Sequence, residues 1–302
     1  MQNRITVAVS TYRETYAGWV IELLKSFEYQ TIEDFEVIVV VNRNKHYYEQ
    51  VLSAVESETK IASRTTVVYN PWDKGISHSR NIALKHAETP YIAYTDDDAI
   101  PSPQWLEELL SAFMLNEQVV AVTGPVLCKW ELDAKNHASW FPKELYWIIG
   151  CTPWKISKVR KVRNGFASNL ALKREILIKS GGFNEDFGYG PRRSMAGEEP
   201  DLGIRLIRAG YCTLWNPRAV VYHRIFLKRL RTANILKRSI VEGKTKAYLS
   251  KKYGRDAIAL ERGYLRSIIK GFVRTSSTKS KALLLLSTAA VLSGYLRYRI
   301  KN

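Results

Sequence analysis

The sequence predicts an α/β fold: a mainly parallel sheet flanked by helices, followed by a basic helical C-terminal region. Three observations predict it. Over the first 125 residues strand-like and helix-like segments alternate, as βαβ units require. One of the strands, FEVIVVV at 35–41, is apolar almost without interruption, as in a strand covered on both faces. The charge is also segregated. Residues 1–223 hold 26 Lys/Arg and 26 Asp/Glu while residues 224–302 hold 20 and 3, so the whole net charge of +17 lies in the last quarter. With 46% hydrophobic and 25% charged residues over 302 positions, disordered and fibrous classes are excluded.

The elements follow in order. A β-branched run at 4–10 reads as the first strand, and 16–29 has helical spacing. After the strand at 35–41, residues 46–57 read as helix and 65–69 as a short strand. Residues 75–87 form a helix opened by Gly and Ser, and 91–95 (YIAYT) is a strand that runs into three aspartates. Residues 103–115 form a helix with Pro103 near its first turn, and 119–123 a further strand. The stretch 129–163, rich in Trp, Pro and Tyr, is irregular; 166–173 is a strand, and 184–195 a mobile loop carrying Arg192 and Arg193. A helix at 198–209 stops at Gly210, 211–223 supplies one or two short strands, and the remainder is helical and basic.

The three cysteines, Cys128, Cys151 and Cys212, are odd in number and form no CxxC pair. Neither a disulfide framework nor a structural zinc site is expected, and a reducing compartment fits. No signal peptide is visible at the N-terminus. The longest apolar run, 282–296, has 15 residues with basic residues on both sides, short of the 17–25 that a spanning helix needs. It reads as an interfacial or shallowly inserted helix; a short span and a plain packing helix are the alternatives.

In a parallel sheet, ligands sit outside the carboxyl ends of the strands. That rule points to Ser10–Thr11–Tyr12, Asn42 and the Asp96–Asp97–Asp98 cluster, which follow three different strands. Three adjacent carboxylates repel one another unless a cation or donors offset them, and oxygen ligands suit Mg²⁺ or Mn²⁺; the alternative is a solvated acidic turn. The segment Gly75–Asn81 opens a helix whose free N–H groups, with Arg80 one turn in, suit a pyrophosphate, or simply cap the helix. Glu198, Glu199 and Asp201 start the helix that follows the loop. They read either as N-terminal capping or as a general base beside a reaction centre. His223 becomes a metal ligand only if the fold brings it to the aspartates. His78 reads as polar packing. The basic run 155–163 is either a solvated face or a wall for an anionic ligand.

Taken together, the segments VAVSTYRE, FEVIVVVN, KGISHSRN, YIAYTDDDAIPSPQWLEEL, FASNLALKRE, GGFNEDF, GEEPDLGIRL and NPRAVVYH resemble, in order and spacing, the family 2 glycosyltransferases. That family has the Rossmann-like GT-A fold. The stretches FPKELYWIIG, VRNGFASN and VEGKTKAYL are similar to a narrower archaeal group, which adds a sugar such as glucuronic acid to a glycosyl-dolichyl phosphate. The resemblance implies a GT-A domain over 1–224, with a nucleotide-sugar-binding half at 1–125 and an acceptor half at 126–224. The basic charge of the tail at 225–302, together with its apolar helix, predicts association with a membrane surface, on its cytoplasmic face; the alternative is that the basic helices pack on the body and the charge is solvated. Thr11 and Glu14 match nucleoside-pocket positions, and Asn42 stands where the family usually has an Asp reading uracil. Arg80 matches a basic residue near base and diphosphate. Asp96 and Asp98 match the DxD pair, with Asp96 and Asp97 on the nucleotide-sugar side and Asp98 on Mn²⁺ or Mg²⁺. His223 matches a histidine that completes the metal site. Glu199 falls at the catalytic base, with Asp201 the second choice. The processive QxxRW pattern is absent, which favours a single addition.

The implied reaction is inverting transfer from a nucleotide-sugar, UDP-linked by family habit, to a hydroxyl of a lipid-linked saccharide. Direct transfer to a polyprenyl phosphate is the alternative. A nucleic-acid partner is the rival class for a tail of +17. The apolar stretch in that tail has no role on a phosphate backbone, so no nucleic acid is expected.

Overall fold

The computed structural model describes residues 4–12, 14, 17–72, 74–153, 156–190 and 193–301, with the side chains of 17, 189, 190, 193, 194 and 260–262 left out. In chain order the elements are β1 (Ile5–Thr11), α1 (Ala17–Phe27), β2 (Phe35–Asn42), α2 (Lys45–Glu58), β3 (Thr65–Asn70), α3 (Ile76–His86), β4 (Tyr91–Asp96), β5 (Ala99–Pro101), α4 (Trp105–Phe113), β6 (Val119–Thr123) and β7 (Val126–Trp130). There follow β8 (Arg160–Val162), β9 (Leu170–Lys173), α5 (Arg174–Lys179), β10 (Gly188–Gly190), β11 (Arg193–Met195), α6 (Glu198–Arg208), β12 (Cys212–Trp215) and β13 (Val221–Ile225). The chain ends in helices α7 (Leu227–Leu230), α8 (Thr232–Tyr253), α9 (Ala259–Arg274) and α10 (Thr278–Lys301). The chain forms two compact units. One comprises residues 1–127, 156–193 and 198–223; the other comprises 128–155, 194–197 and 224–302.

The first unit is built on an eight-stranded sheet of order β3-β2-β1-β4-β9-β6-β12-β8. The pairs β3–β2, β2–β1, β1–β4 and β6–β12 are parallel, while β9 runs antiparallel to both β4 and β6, and β8 antiparallel to β12. The apolar run in β2 shows why the sheet needs two covers. Val37, Val39 and Val41 enter a core with α1, α2 and α4, while Ile38 and Val40 enter a second core with α3, α5 and α6. Alternate side chains of a strand point to opposite faces, so a run without polar breaks requires helices on both. Each such valine or isoleucine contributes roughly 1.5–3 kcal/mol by leaving water. Strand 166–173 is shorter than expected: residues 167–169 form a 3₁₀ turn and β9 begins only at Leu170. The turn releases Asn169 from the ladder to tie three segments. Its side chain accepts from Trp105 Nε1 at 2.8 Å and donates to the carbonyls of Pro125 and Ala219. The region 184–195 contains the short strands β10 and β11, where a loop without strands is expected from its glycines.

The second unit corrects one expectation. Cys128 and Cys151 form a disulfide, with 5.8 Å between their Cα atoms, and Cys212 stays free and buried. Sequence spacing misses the pair because 23 residues separate the two cysteines, and only folding brings them together. Around the bridge, Ala134, Phe141, Leu145, Ile148 and Ile149 pack with Ile225, Leu230, Ile235, Leu283 and Leu284. Helices α8 and α10 cross closely at two glycines. A Cβ on Gly243 would run into the Val291 carbonyl, and one on Gly294 into the Ile240 carbonyl. Among the described residues, no helix is long and apolar enough to cross a membrane.

Candidate active site

Three strand ends meet at the carboxyl edge of the sheet. At the end of β1, Thr11 is fully buried, and its hydroxyl lies 2.9 Å from that of Tyr47 on α2. Burial pushes the Tyr47 hydroxyl well above its usual range, so it stays neutral and holds β1 to α2. Glu14 is turned to α2, where its carboxylate accepts from Gln50 at 3.1 Å and faces His46 at 4.0 Å. At the end of β2, the Asn42 amide is already engaged. It donates to the Thr11 carbonyl at 2.9 Å, and its oxygen accepts from Asn70 and Ser79 at 2.6 Å each. Asn42 therefore knots β1, β2, β3 and α3 together at their common edge. Tyr47 and Asn70 are not singled out by the sequence. The one signal for Asn70 is that it ends β3 as Asn42 ends β2.

The acidic cluster lies one strand over. Asp96 ends β4 and is partly exposed, whereas Asp97 and Asp98 are buried. In β13, His223 stands opposite Ala99 of β5, which carries the imidazole to the acidic turn. His223 Nε2 lies 3.1 Å from Asp98 Oδ1, and the imidazole is 2% exposed. Asp96, Asp98 and His223 each offer a ligand atom, all within 4.8 Å of one another. The set therefore fits a divalent cation: two carboxylates and one imidazole, converging on one point and leaving positions for other oxygen ligands. The fold meets the condition placed on His223, 125 residues away in sequence, by pairing β13 with β5.

Arg80 links this cluster to the start of α6. The guanidinium is 6% exposed and stacks 5.5 Å from the centre of the Phe183 ring. It donates to Glu198 at 3.2 Å and to Asp96 at 3.5 Å. Burial works against its charge, but the carboxylates of Glu198, Glu199 and Asp96 more than offset that, and its pKa is held above the ordinary value. Glu199 sits deep among protein atoms while keeping part of its surface open, and its Oε1 accepts from the Ala167 N–H at 3.1 Å. Burial first, and the Glu198 charge second, push its carboxyl up to about 8; Arg80 and the backbone N–H groups oppose this. A carboxyl that titrates in this range can exchange a proton with a hydroxyl held against it.

The remaining candidates have other partners. Asp201 is fully buried and accepts from Arg205 Nε at 2.8 Å, while Arg205 also donates to the carbonyls of Ser180 and Gly182. The pair fastens α6 to the turn after α5. His78 hydrogen-bonds Glu185 at 3.0 Å, and Asn81 donates to Glu185 and to the Phe183 carbonyl. The first turn of α3 is approached by Gly188 (φ 109°), where a Cβ would stand 3.0 Å from Ile76 and 3.3 Å from the Ser77 nitrogen. In the basic run, Arg160 and Lys161 are exposed on edge strand β8; Lys155, Arg192 and the Arg193 side chain lie outside the described residues.

A doubly covered sheet of this order, with a convergent Asp/Asp/His site at its carboxyl edge, defines a GT-A-like glycosyltransferase fold. Residues 6–181 match the family described as Glycosyl transferase family 2, and the chain belongs to that family. It is 27% identical over 273 residues to a glucosyl-dolichyl phosphate glucuronosyltransferase of Haloferax volcanii, covering 89% of this chain and 84% of the relative. It is 24% identical over 224 residues to a chondroitin synthase of Escherichia coli, covering 65% of this chain and 31% of that protein. Among solved structures, it resembles a mannosyltransferase of Pyrobaculum calidifontis in complex with GDP-Man and Mn²⁺. The TM-score is 0.60 at 22% identity, over all of this chain and 83% of the other. It also resembles GalNAc-T7 with UDP, GalNAc and Mn²⁺, with a TM-score of 0.58 over 88% of this chain and 54% of that one.

Proposed function

We propose that the chain transfers a sugar, with inversion, from a UDP-sugar to a hydroxyl of a lipid-linked saccharide such as a glycosyl-dolichyl phosphate. Asp98, Asp96 and His223 hold Mn²⁺ or Mg²⁺ in this reading. The bound cation supplies positive charge against the diphosphate that leaves. The single observation that carries the proposal is Arg80, whose one guanidinium holds both Asp96 of the cation cluster and Glu198 of the α6 turn. It couples the place where a leaving group gathers charge to the place where a proton is taken.

Glu199 takes the proton of the acceptor hydroxyl as that oxygen attacks the anomeric carbon from the face opposite the diphosphate. Arg80 stabilises negative charge on the leaving side at no reorganisation cost, because Glu198 and Asp96 already fix its position. The presence of a base supports a hydroxyl acceptor over a bare lipid phosphate, which is ionised at neutral pH and needs none. The name of the Haloferax relative supports the lipid-linked saccharide. The imidazole in the donor set favours Mn²⁺ over Mg²⁺.

The test is calorimetric titration of UDP, then GDP, into the full chain with and without Mn²⁺, repeated on Asp98→Ala. Metal-dependent UDP binding that is lost in the variant is expected. Binding of neither nucleotide by the folded protein would overturn the donor assignment.

A further inference from the structure

We propose that α9 and α10 form a docking surface for an anionic lipid bilayer, with the two helices lying in the plane of the headgroups. The proposal stands on the second unit alone and does not depend on the reaction.

Helix α9 carries three stripes at helical spacing. Tyr264, Ile268, Gly271 and Phe272 turn inward; Tyr264 meets the Trp147 indole, and Gly271 is closed over by the Glu144 side chain. Leu265, Ile269 and Val273 follow at i, i+4 and i+8, all exposed, Val273 at 75%. Beside them, Arg266, Lys270 and Arg274 keep the same spacing and are exposed as well. A helix with adjacent exposed stripes of aliphatic and basic residues fits an interface between hydrocarbon and phosphate.

Helix α10 repeats the feature on a larger scale. Ser280, Leu283, Leu284, Ser287 and Gly294 are its buried face, turned to α8 and the core around the disulfide. The opposite stripe is Ala282, Leu285, Leu286, Ala289, Leu292, Leu296 and Ile300, all exposed, Ile300 at 86%, with the half-buried Ser293 as its one small polar member. A helix that buries one face in a water-soluble body normally turns charge to the other. Here the charges stand at the two ends instead, Lys279 and Lys281 before the apolar run and Arg297, Arg299 and Lys301 after it. Long basic side chains at such positions reach headgroups while the helix between them rests on the acyl boundary.

The charge decides between a bilayer and a second copy of this chain. Residues 259–302 hold nine Lys/Arg and one acidic residue. Two copies joined through this face would oppose basic stripe to basic stripe, whereas an anionic leaflet attracts each basic residue near it.

The experiment is sedimentation of the full chain with vesicles of phosphatidylglycerol and phosphatidylcholine, and with vesicles of phosphatidylcholine alone. Two variants accompany it: I269S/V273S/L292S/L296S and R266Q/K270Q/R274Q. All seven positions are exposed, so both variants should keep the wild-type melting temperature. Binding to the anionic vesicles is expected to fall at least about tenfold in each variant, and to be weak to phosphatidylcholine from the start. No binding of the wild type to anionic vesicles, or binding that neither variant weakens, overturns the proposal. So does a dimer in solution that the apolar variant converts to monomer without any vesicle binding.

Discussion

Glu199 and Arg80 are the two side chains on which the proposed chemistry turns, and they make opposite predictions. Because folding raises the Glu199 carboxyl to about 8, the folded chain binds a proton that the unfolded chain has released between the usual carboxylate range and that value. Stability therefore falls as pH rises through this window. Glu199→Gln should melt above the wild type at pH 8 and close to it at low pH, with calorimetry as the measure. The same variant should bind UDP as tightly as the wild type and lose turnover by about 10²–10⁴-fold. In the wild type, kcat/KM should rise with pH up to about 8, where the base becomes free to act. Arg80→Leu should cost about 3–5 kcal/mol, because it takes the guanidinium away from the buried Glu198 carboxylate. Adding Glu198→Leu should recover part of that loss in urea denaturation. The residue types at 96, 98, 199 and 223 were legible from motif order. The tie between Arg80 and Glu198 was not, because a contact across 118 residues leaves no trace in spacing.

At the scale of elements, periodicity placed β1 to β4, β6 and α1 to α4 to within a residue or two, since the apolar runs had only one way to be covered; the three-residue β5 is too short to show a period. It failed where side chains rather than the backbone decide the local structure. Asn169 shortens β9 by leaving the ladder to hold Trp105, and the disulfide organises a stretch that has little regular structure to read. Closing a loop of 23 residues stabilises the folded chain by about 3 kcal/mol in the chain-entropy account. Replacing Cys128 and Cys151 by Ser should lower the unfolding free energy by about that amount, measured with and without reductant. The crossing of α8 and α10 predicts a sharper loss. Gly243→Leu pushes a side chain into the Val291 carbonyl and should cost several kcal/mol, in the upper range for overpacking. Gly263→Ala on α9, which meets nothing within 4 Å, should be neutral or slightly stabilising.

For the whole molecule, the segregation of charge was plain in the sequence, and it maps onto architecture. The balanced part builds the sheet and the candidate site, and the excess of +17 lies on the helices that close the chain. What could not be read was which face of α10 is covered, because its apolar residues surround the helix and periodicity gives no direction. The packing of Gly243 and Gly294 supplies it.

The strand order carries a consequence for biosynthesis. The two neighbours of β6 in the sheet, β9 and β12, both lie later in the chain. A nascent chain released only as far as residue 160 holds β3, β2, β1 and β4 as a growing half-sheet, with Val119–Thr123 as an apolar ribbon that has no strand to pair with. Some fifty residues separate the end of β6 from the end of β9, the strand that joins the halves, and His223 reaches the acidic turn only after that. Truncations that end between β6 and β9 should therefore be recovered as aggregates, and those that run past β9 should regain solubility.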